Sequence, residues 1–179
     1  DRYVQKYLKP NCRILEVGAG TGRYSLYYAS QGYKVNSIEY VQHNLDVLKS
    51  KITDNMNIVA EQGDAIDLSR FEDNIFDIVL VLGPLYHLYT EEEINKCINE
   101  AKRVCKNNGI MMFAYLPNDS IMISWALLKG HLKFGYDNKR FDQNFKIISE
   151  PSEIMRAFYI DELEKIMNSN NIEKINNIS

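Results

Sequence analysis

The stretch "ILEVGAGTGRYS", residues 14–25, carries Gly18, Gly20 and Gly22 at every second position after an apolar run, with Glu16 inside that run. Glycines at such a point let a ligand approach the backbone closely, because they lack a Cβ and accept positive φ. A triphosphate cradle needs G-x-x-x-x-G-K-[ST]. No lysine follows Gly22, so that ligand is excluded. A dinucleotide fingerprint needs G-x-G-x-x-G. Gly18 and Gly20 fill its first two places, but Arg23 stands in the third and Gly22 comes one residue early. The third glycine permits close helix–strand packing above a pyrophosphate, so its absence counts against a dinucleotide.

Three further points along the chain hold chemistry-bearing residues. Glu39, followed by Tyr40, closes a second apolar run 19 residues after Gly20. An acid there can accept both hydroxyls of a ribose, a device that dinucleotide enzymes share. A third run ends in Gly63-Asp64-Ala65, and a fourth in "LGPLYHL", Leu82 to Leu88, which contains Tyr86 and His87. Each has a plainer explanation alongside. The glycines serve any tight strand-to-helix turn, Glu39 is a solvated strand-end charge, and Asp64 caps a turn.

The string acid-x-G-x-G-x-G at residues 16–22 resembles motif I of the class I S-adenosylmethionine-dependent methyltransferases. The segment "GDAIDLSRFEDNIFDIVLVLGPLYHL" (63–88) is similar to the third-to-fourth-strand segment of bacterial small-molecule methyltransferases, and the resemblance extends over about residues 12 to 117. It implies S-adenosylmethionine as cofactor and no metal. Glu16 would lie near the cofactor's ammonium. Gly18, Ala19, Gly20 and Gly22 would let the backbone meet its amino-acid tail and ribose. Glu39 and Tyr40 would hold the ribose, Asp64 and Ala65 the adenine, and Leu82 would complete the cofactor site. Tyr86 and His87 would face the methyl group. Methyl transfer from a sulfonium is an in-line displacement, so no nucleophilic residue is expected. His87 is the candidate general base, with an unperturbed pKa near 6.5; the alternative is that it shapes the pocket, as Tyr86 does. "GPLY" departs from the (Asn/Asp)-Pro-Pro-Tyr motif of enzymes acting on amino groups of nucleobases or glutamine. Gly83 has no side chain and Leu85 replaces the second proline, which argues against that acceptor class. His43 and His131 have no partner recognisable in the sequence, and Met111 and Met112 read as core.

These residues need a scaffold that gathers strand ends. Buried strands are expected at 13–17, 34–40, 57–65, 76–83 and 110–117, with 76–83, the most apolar, at the sheet centre. Helices are expected at 22–31, closed by Gly32, and at 43–52, 90–109 and 160–171, the last followed by the start of a strand, "IEKINNIS". Thr90 and Glu93 form a capping box. Ile94, Cys97, Ile98, Ala101, Val104 and Cys105 make the apolar stripe of 90–109, and Lys102, Arg103 and Lys106 suit its negative end. Strands alternating with helices give an α/β fold, a Rossmann-like doubly wound and mostly parallel sheet in a three-layer sandwich. Ligands of such sheets lie at the carboxyl ends of the strands. Residues 118–150 break the alternation and read as an irregular insertion after the fifth strand. They are an acceptor lid by the resemblance, with Trp125, His131, Phe134, Tyr136, Phe141 and Phe145 available to enclose an apolar or aromatic substrate.

The bulk composition agrees with this scheme. A chain of 179 residues with 45% hydrophobic residues suits one domain with a sizeable core. The chain begins with Asp1, and residues 1–179 are read as a single methyltransferase domain trimmed at both ends. A net charge of -3 speaks against a nucleic-acid-binding surface. No apolar run approaches the roughly 20 residues of a membrane span, and no signal segment opens the chain. Cys12, Cys97 and Cys105 lack metal spacing and fit a reducing cytoplasm. The expected function is methyl transfer to a small-molecule acceptor. The rivals are a nicotinamide-dependent oxidoreductase and a cofactor-binding module without catalysis; a protein or RNA methyltransferase is a further variant.

Overall fold

The computed structural model describes residues 3–150, 155–173 and 175. Two compact units divide the chain, one of Asp1–Leu85 with Glu92–Ala114, the other of Tyr86–Glu91 with Tyr115–Ser179.

The first unit is built on a five-stranded parallel sheet: β1 (Arg13–Val17), β2 (Lys34–Glu39), β3 (Ile58–Gln62), β4 (Phe76–Val81) and β5 (Cys105–Phe113). The order is β3-β2-β1-β4-β5, with every pairing parallel. The order reverses between β1 and β4, which is the switch point where α/β sheets bind ligands. β1 is the middle strand, and β4, expected at the centre, is its neighbour, paired on both sides. Side chains alternate between two buried faces, as a parallel sheet between helix layers requires. Ile14, Val35, Ile78 and Leu80 pack with Tyr28 and Ala29 of α1 (Arg23–Ser30). Leu45 and Leu48 of α2 (Gln42–Lys49) pack with Ala60. The alternate residues Leu15, Val17, Ile38, Val79 and Val81 are equally buried. So is the stripe Ile94, Cys97, Ile98, Ala101 and Val104 of α3 (Glu91–Val104). The sheet is thus flanked by helices in the expected Rossmann-like arrangement.

Gly32 ends α1 as its sequence position suggests. Its φ is +88°, its N–H donates to Ala29 O at 3.0 Å, and Tyr33 N–H donates to Tyr28 O at 3.2 Å, a complete Schellman motif. The rings of Tyr33 and Tyr28 supply the accompanying apolar contact, with centroids 6.5 Å apart.

The boundary between α3 and β5 differs from the expected 109/110. α3 stops at Val104, and Cys105 already pairs with Phe76. The reason is tertiary. Asn74 N–H and Ile75 N–H take the carbonyls of Arg103 and Val104 at 2.9 and 3.0 Å, in the place of the next helical turn, where residues 107 and 108 would have donated. Lys106 accordingly does not serve the helix end but pairs with Asp77 Oδ1 at 2.6 Å. The same strand ends at Phe113 rather than 117.

The second unit contains a two-stranded parallel sheet of β6 (Leu116–Pro117) and β7 (Ala157–Phe158), which the sequence pattern did not suggest. Residues 118–150, expected to be irregular, are largely helical at their start. α4 (Asn118–Ile121) runs into a π-helical stretch, Met122–Leu128, and α5 (Leu132–Asp137) follows. Met122, Ala126 and Phe141 form the buried cluster here, with Trp125 and Ile147 against it. His131 finds a partner, its Nδ1 lying 3.1 Å from Trp125 O and its ring stacked on Trp125. α6 (Ile160–Ser169) is the last element among the described residues. Most of the expected strand in "IEKINNIS" lies outside the described residues.

Candidate functional site

The glycine loop follows β1 and is stitched to the end of β2. Gly18 and Ala19 N–H both donate to Ile38 O, at 2.8 and 3.0 Å. Gly18, Gly20 and Gly22 all have positive φ, at +74°, +55° and +87°. Their missing side chains answer different needs. A Cβ at Gly18 would stand 2.7 Å from Pro84 Cδ, and one at Gly22 would stand 2.7 Å from Leu48 Cγ of α2. At Gly20 nothing lies within 4 Å. Gly18 and Gly22 are thus required by the protein's own packing, and the direction of a Cβ is open at Gly20.

Two buried acids flank this loop. Glu39 Oε2 accepts from Gly20 N–H at 2.7 Å, and Oε1 accepts from Val41 N–H at 2.9 Å and Asn44 Nδ2 at 3.3 Å. Three donors on one carboxylate hold the strand-end acid and the open glycine together. Glu16 bonds to α1 instead: Oε2 accepts from Ser25 N–H at 2.8 Å and from the Ser25 hydroxyl, to which Ser37 Oγ donates at 2.7 Å. Burial pushes the Glu16 carboxyl up to about 7, opposed by the Ser25 bonds and reinforced by the charge of Glu39. Ser25 is the third residue of α1, so Glu16 sits at a positive helix end. Sequence reasoning missed Ser25 and Ser37. The signal was two hydroxyls placed where apolar periodicity expects core.

The third strand end joins the same region through Gly63 N–H, which donates to Glu39 O at 3.1 Å. Asp64 Oδ1 accepts from Ile66 N–H at 3.2 Å, so this acid does cap a turn. Ala65 beside it is buried, Tyr40 is exposed, and Leu82 packs against the α1-side core. Glu16, the glycines, Glu39 and Asp64 are thus gathered at the carboxyl ends of β1, β2 and β3. The three thiols are free and buried. Burial pushes Cys97 up to about 12 and Cys105 up to about 11, which leaves neither as a nucleophile. Among the described residues no group of three or more His, Cys, Asp or Glu is placed to hold a metal ion.

Tyr86 and His87 belong to the second unit. They lie in the 3-10 turn Pro84–His87, with ring centroids 4.8 Å apart. Tyr86 is half-buried and His87 exposed. Arg156, which the sequence did not single out, reaches this segment. Its N–H donates to Tyr86 O at 2.7 Å and its Nη1 to Tyr89 O at 2.6 Å. Glu162 accepts from Arg156 Nη2 at 2.8 Å and from Lys146 Nζ at 3.3 Å. Burial raises the Glu162 carboxyl, but the bonds and charges of Arg156 and Lys146 outweigh it and hold the group below its ordinary value.

The family model described as "Methyltransferase domain" matches residues 15–113, more than half of the chain. The chain is 25% identical over 112 residues to the Bacillus subtilis protein YqeM, named as a methyltransferase; the match covers 63% of this chain and 45% of that one. A Geobacillus protein named likewise is 27% identical over 118 residues, covering 62% of this chain and 47% of its own. The chain therefore spans about half the length of the curated relatives it matches. A crystal structure described as a SAM-dependent methyltransferase from Methanosarcina mazei superposes with a TM-score of 0.73 at 20% identity, covering 95% of this chain and 84% of that one. Among the described residues no helix is long and apolar enough to cross a membrane.

Proposed function

This chain belongs to the methyltransferase domain family, and on that premise we propose that it is an S-adenosylmethionine-dependent methyltransferase acting on a small-molecule acceptor. The observation that carries the reading is the pairing of Gly20, open on its Cβ side, with the buried Glu39 carboxylate at the carboxyl ends of β1 and β2. A nucleoside with a ribose diol and no phosphate fits there. The backbone can be approached, an anionic acceptor waits for hydroxyl donors, and the amide of Gly20 is already committed to that acid rather than offered to a phosphate.

When bound, the cofactor supplies a methyl group already activated on a sulfonium. The protein's own residues then bind, orient and manage a proton. Glu39 and Tyr40 hold the ribose, Asp64 and Ala65 border the adenine, Leu82 lines the site, and Gly18, Ala19, Gly20 and Gly22 form the loop beneath the amino-acid tail. Glu16 acts on the ammonium side through the helix end it anchors. His87 removes a proton from the acceptor, and Tyr86 forms a wall of the acceptor site. Residues 118–150 serve as the acceptor lid, within a single methyltransferase domain over 1–179. The exposed rings of Phe134, Tyr136 and Phe145 favour an apolar or aromatic acceptor. Free buried thiols suit a cytoplasmic protein.

Methyl transfer from labelled S-adenosylmethionine to a panel of small acceptors tests the reading. Turnover is expected on at least one. His87→Ala then lowers kcat about 10²–10⁴-fold with cofactor affinity kept. Full activity in His87→Ala would remove His87 from the site. Cofactor binding without turnover on any acceptor would favour the non-catalytic module.

A further inference from the structure

His87 stands between two backbone carbonyls, Tyr86 O and Tyr89 O, and both accept from the same residue. Arg156 binds the first through its backbone N–H at 2.7 Å and the second through Nη1 at 2.6 Å. Its other terminal nitrogen is engaged by Glu162 Oε1 at 2.8 Å, and Glu162 is in turn engaged by Lys146. The guanidinium lies over the Phe158 ring at 4.7 Å, and Phe158 is fully buried. The arginine is thus fixed on three sides: by a carboxylate, a ring and its own backbone in the strand-entry position before β7. Its side chain is only 17% exposed, so the grip is not a solvated surface pair.

We propose that Arg156 is a positioning residue for methyl transfer: held by Glu162, it clamps the 86–89 segment and so fixes where the His87 imidazole stands. The inference rests on the proposed role of His87. A general base must lie within hydrogen-bond reach of the proton it takes, and His87 is exposed at the end of a four-residue 3-10 helix, Pro84–His87, whose exit runs straight into the clamped carbonyls. A planar guanidinium can serve two acceptors at a set angle, which a lysine cannot. A long-range staple from residue 156 to residue 89 is a reason for an arginine in an otherwise short β7 entry.

The test uses the whole chain and two independent readouts. The first is the ring Cε1–Hε1 resonance of each histidine, His43, His87 and His131, assigned through His87→Asn. The second is kcat, with S-adenosylhomocysteine affinity measured alongside. In Arg156→Ala the His87 resonance is expected to move and broaden, while those of His43 and His131 stay. kcat is expected to fall about 10- to 100-fold, the loss that a misplacement of about 1 Å produces, with S-adenosylhomocysteine affinity unchanged. Glu162→Gln, which keeps an oxygen acceptor for the guanidinium but loses the charge, is expected to disturb the His87 resonance and the rate less than Glu162→Ala does. If Arg156→Ala does not fold, Glu162→Ala, which releases the guanidinium while leaving Arg156 in place, is expected to show the same pair of changes in weaker form. An unmoved His87 resonance, or equal disturbance of all three histidines, overturns the proposal. A His87 resonance that moves in a protein with no turnover leaves the clamp standing and removes the catalytic role of His87 instead.

Discussion

The two compact units keep their chemistry-bearing residues in place by different means. In the first, Glu39 and Glu16 sit at the ends of strands whose neighbours are fixed by continuous parallel pairing, and each acid adds bonds to a scaffold already determined. In the second, the paired strands are two residues long, and single side chains do the fixing. Asn118 donates from Nδ2 to Phe145 O at 3.2 Å and accepts at Oδ1 from Ile147 N–H at 2.8 Å. Asp142 accepts from the N–H groups of Asn144 and Lys146. Arg156 clamps the segment at 86–89. A repeated element spreads its stability over many residues, whereas a stapled one concentrates it in a few.

The sharpest break in that comparison is expected within the first unit, between two glycines of one loop. Gly18→Ala places a Cβ 2.7 Å from Pro84 Cδ at a φ of +74°. Overpacking and left-handed strain together should cost about 3–5 kcal/mol, read as a lowered midpoint in chemical unfolding. Gly20→Ala meets open space, and its φ of +55° alone should cost about 1–2 kcal/mol. Equal losses at the two positions would contradict the assignment of Gly20 as the open face.

Glu16 sharpens the comparison from the side of charge. Its folded pKa is raised from 4.5 to about 7. The group therefore favours the folded state fully below pH 4.5, and that contribution is lost as pH rises through 7. Relative to Glu16→Gln, the wild type should lose about 3 kcal/mol of stability between pH 4.5 and 8, at about 1.4 kcal/mol per pKa unit. Parallel stability curves for the two proteins would mean that the carboxyl is not desolvated.

In the second unit Asn118→Ala should free Phe145 O and Ile147 N–H together, at a cost of about 2 kcal/mol. Because Asp142 still holds Asn144 and Lys146 N–H in that turn, the loss should be local. Faster amide exchange is expected at residues 145–147, with β1 to β4 unaffected. Uniform acceleration across the chain would show that the stapling is not local.

The same contrast explains what was legible in the sequence. Strands β1 to β4, helices α1 and α2, and the Gly32 stop follow from apolar period and glycine placement, and each appears within a few residues of its expected bounds. The end of α3 was misjudged because Cys105 continues the helical apolar stripe, while the residues that end the helix, Asn74 and Ile75, lie some thirty positions away. The helices of 118–137 were missed because their apolar residues are crowded, with Ile123, Leu127 and Leu128 exposed, so no clean amphipathic period marks them. The acids of the candidate site were legible by motif and strand end. Their protein partners were not: Ser25 and Ser37 show only as hydroxyls at positions where the apolar period expects core, and Asn44 leaves no trace at all. Arg156 left none either: its value is a pair of contacts with backbone carbonyls about seventy residues distant.

Calorimetric titration with S-adenosylhomocysteine and, separately, with NAD tests the central claim most directly. The Glu39–Gly20 pair at the carboxyl ends of β1 and β2, with the Gly20 amide engaged by the acid, predicts saturable binding of S-adenosylhomocysteine and none of NAD at comparable concentration. Glu39→Ala should weaken that binding at least about tenfold, since charge-assisted bonds to the ribose are lost. Tight binding of NAD without binding of S-adenosylhomocysteine would contradict the account.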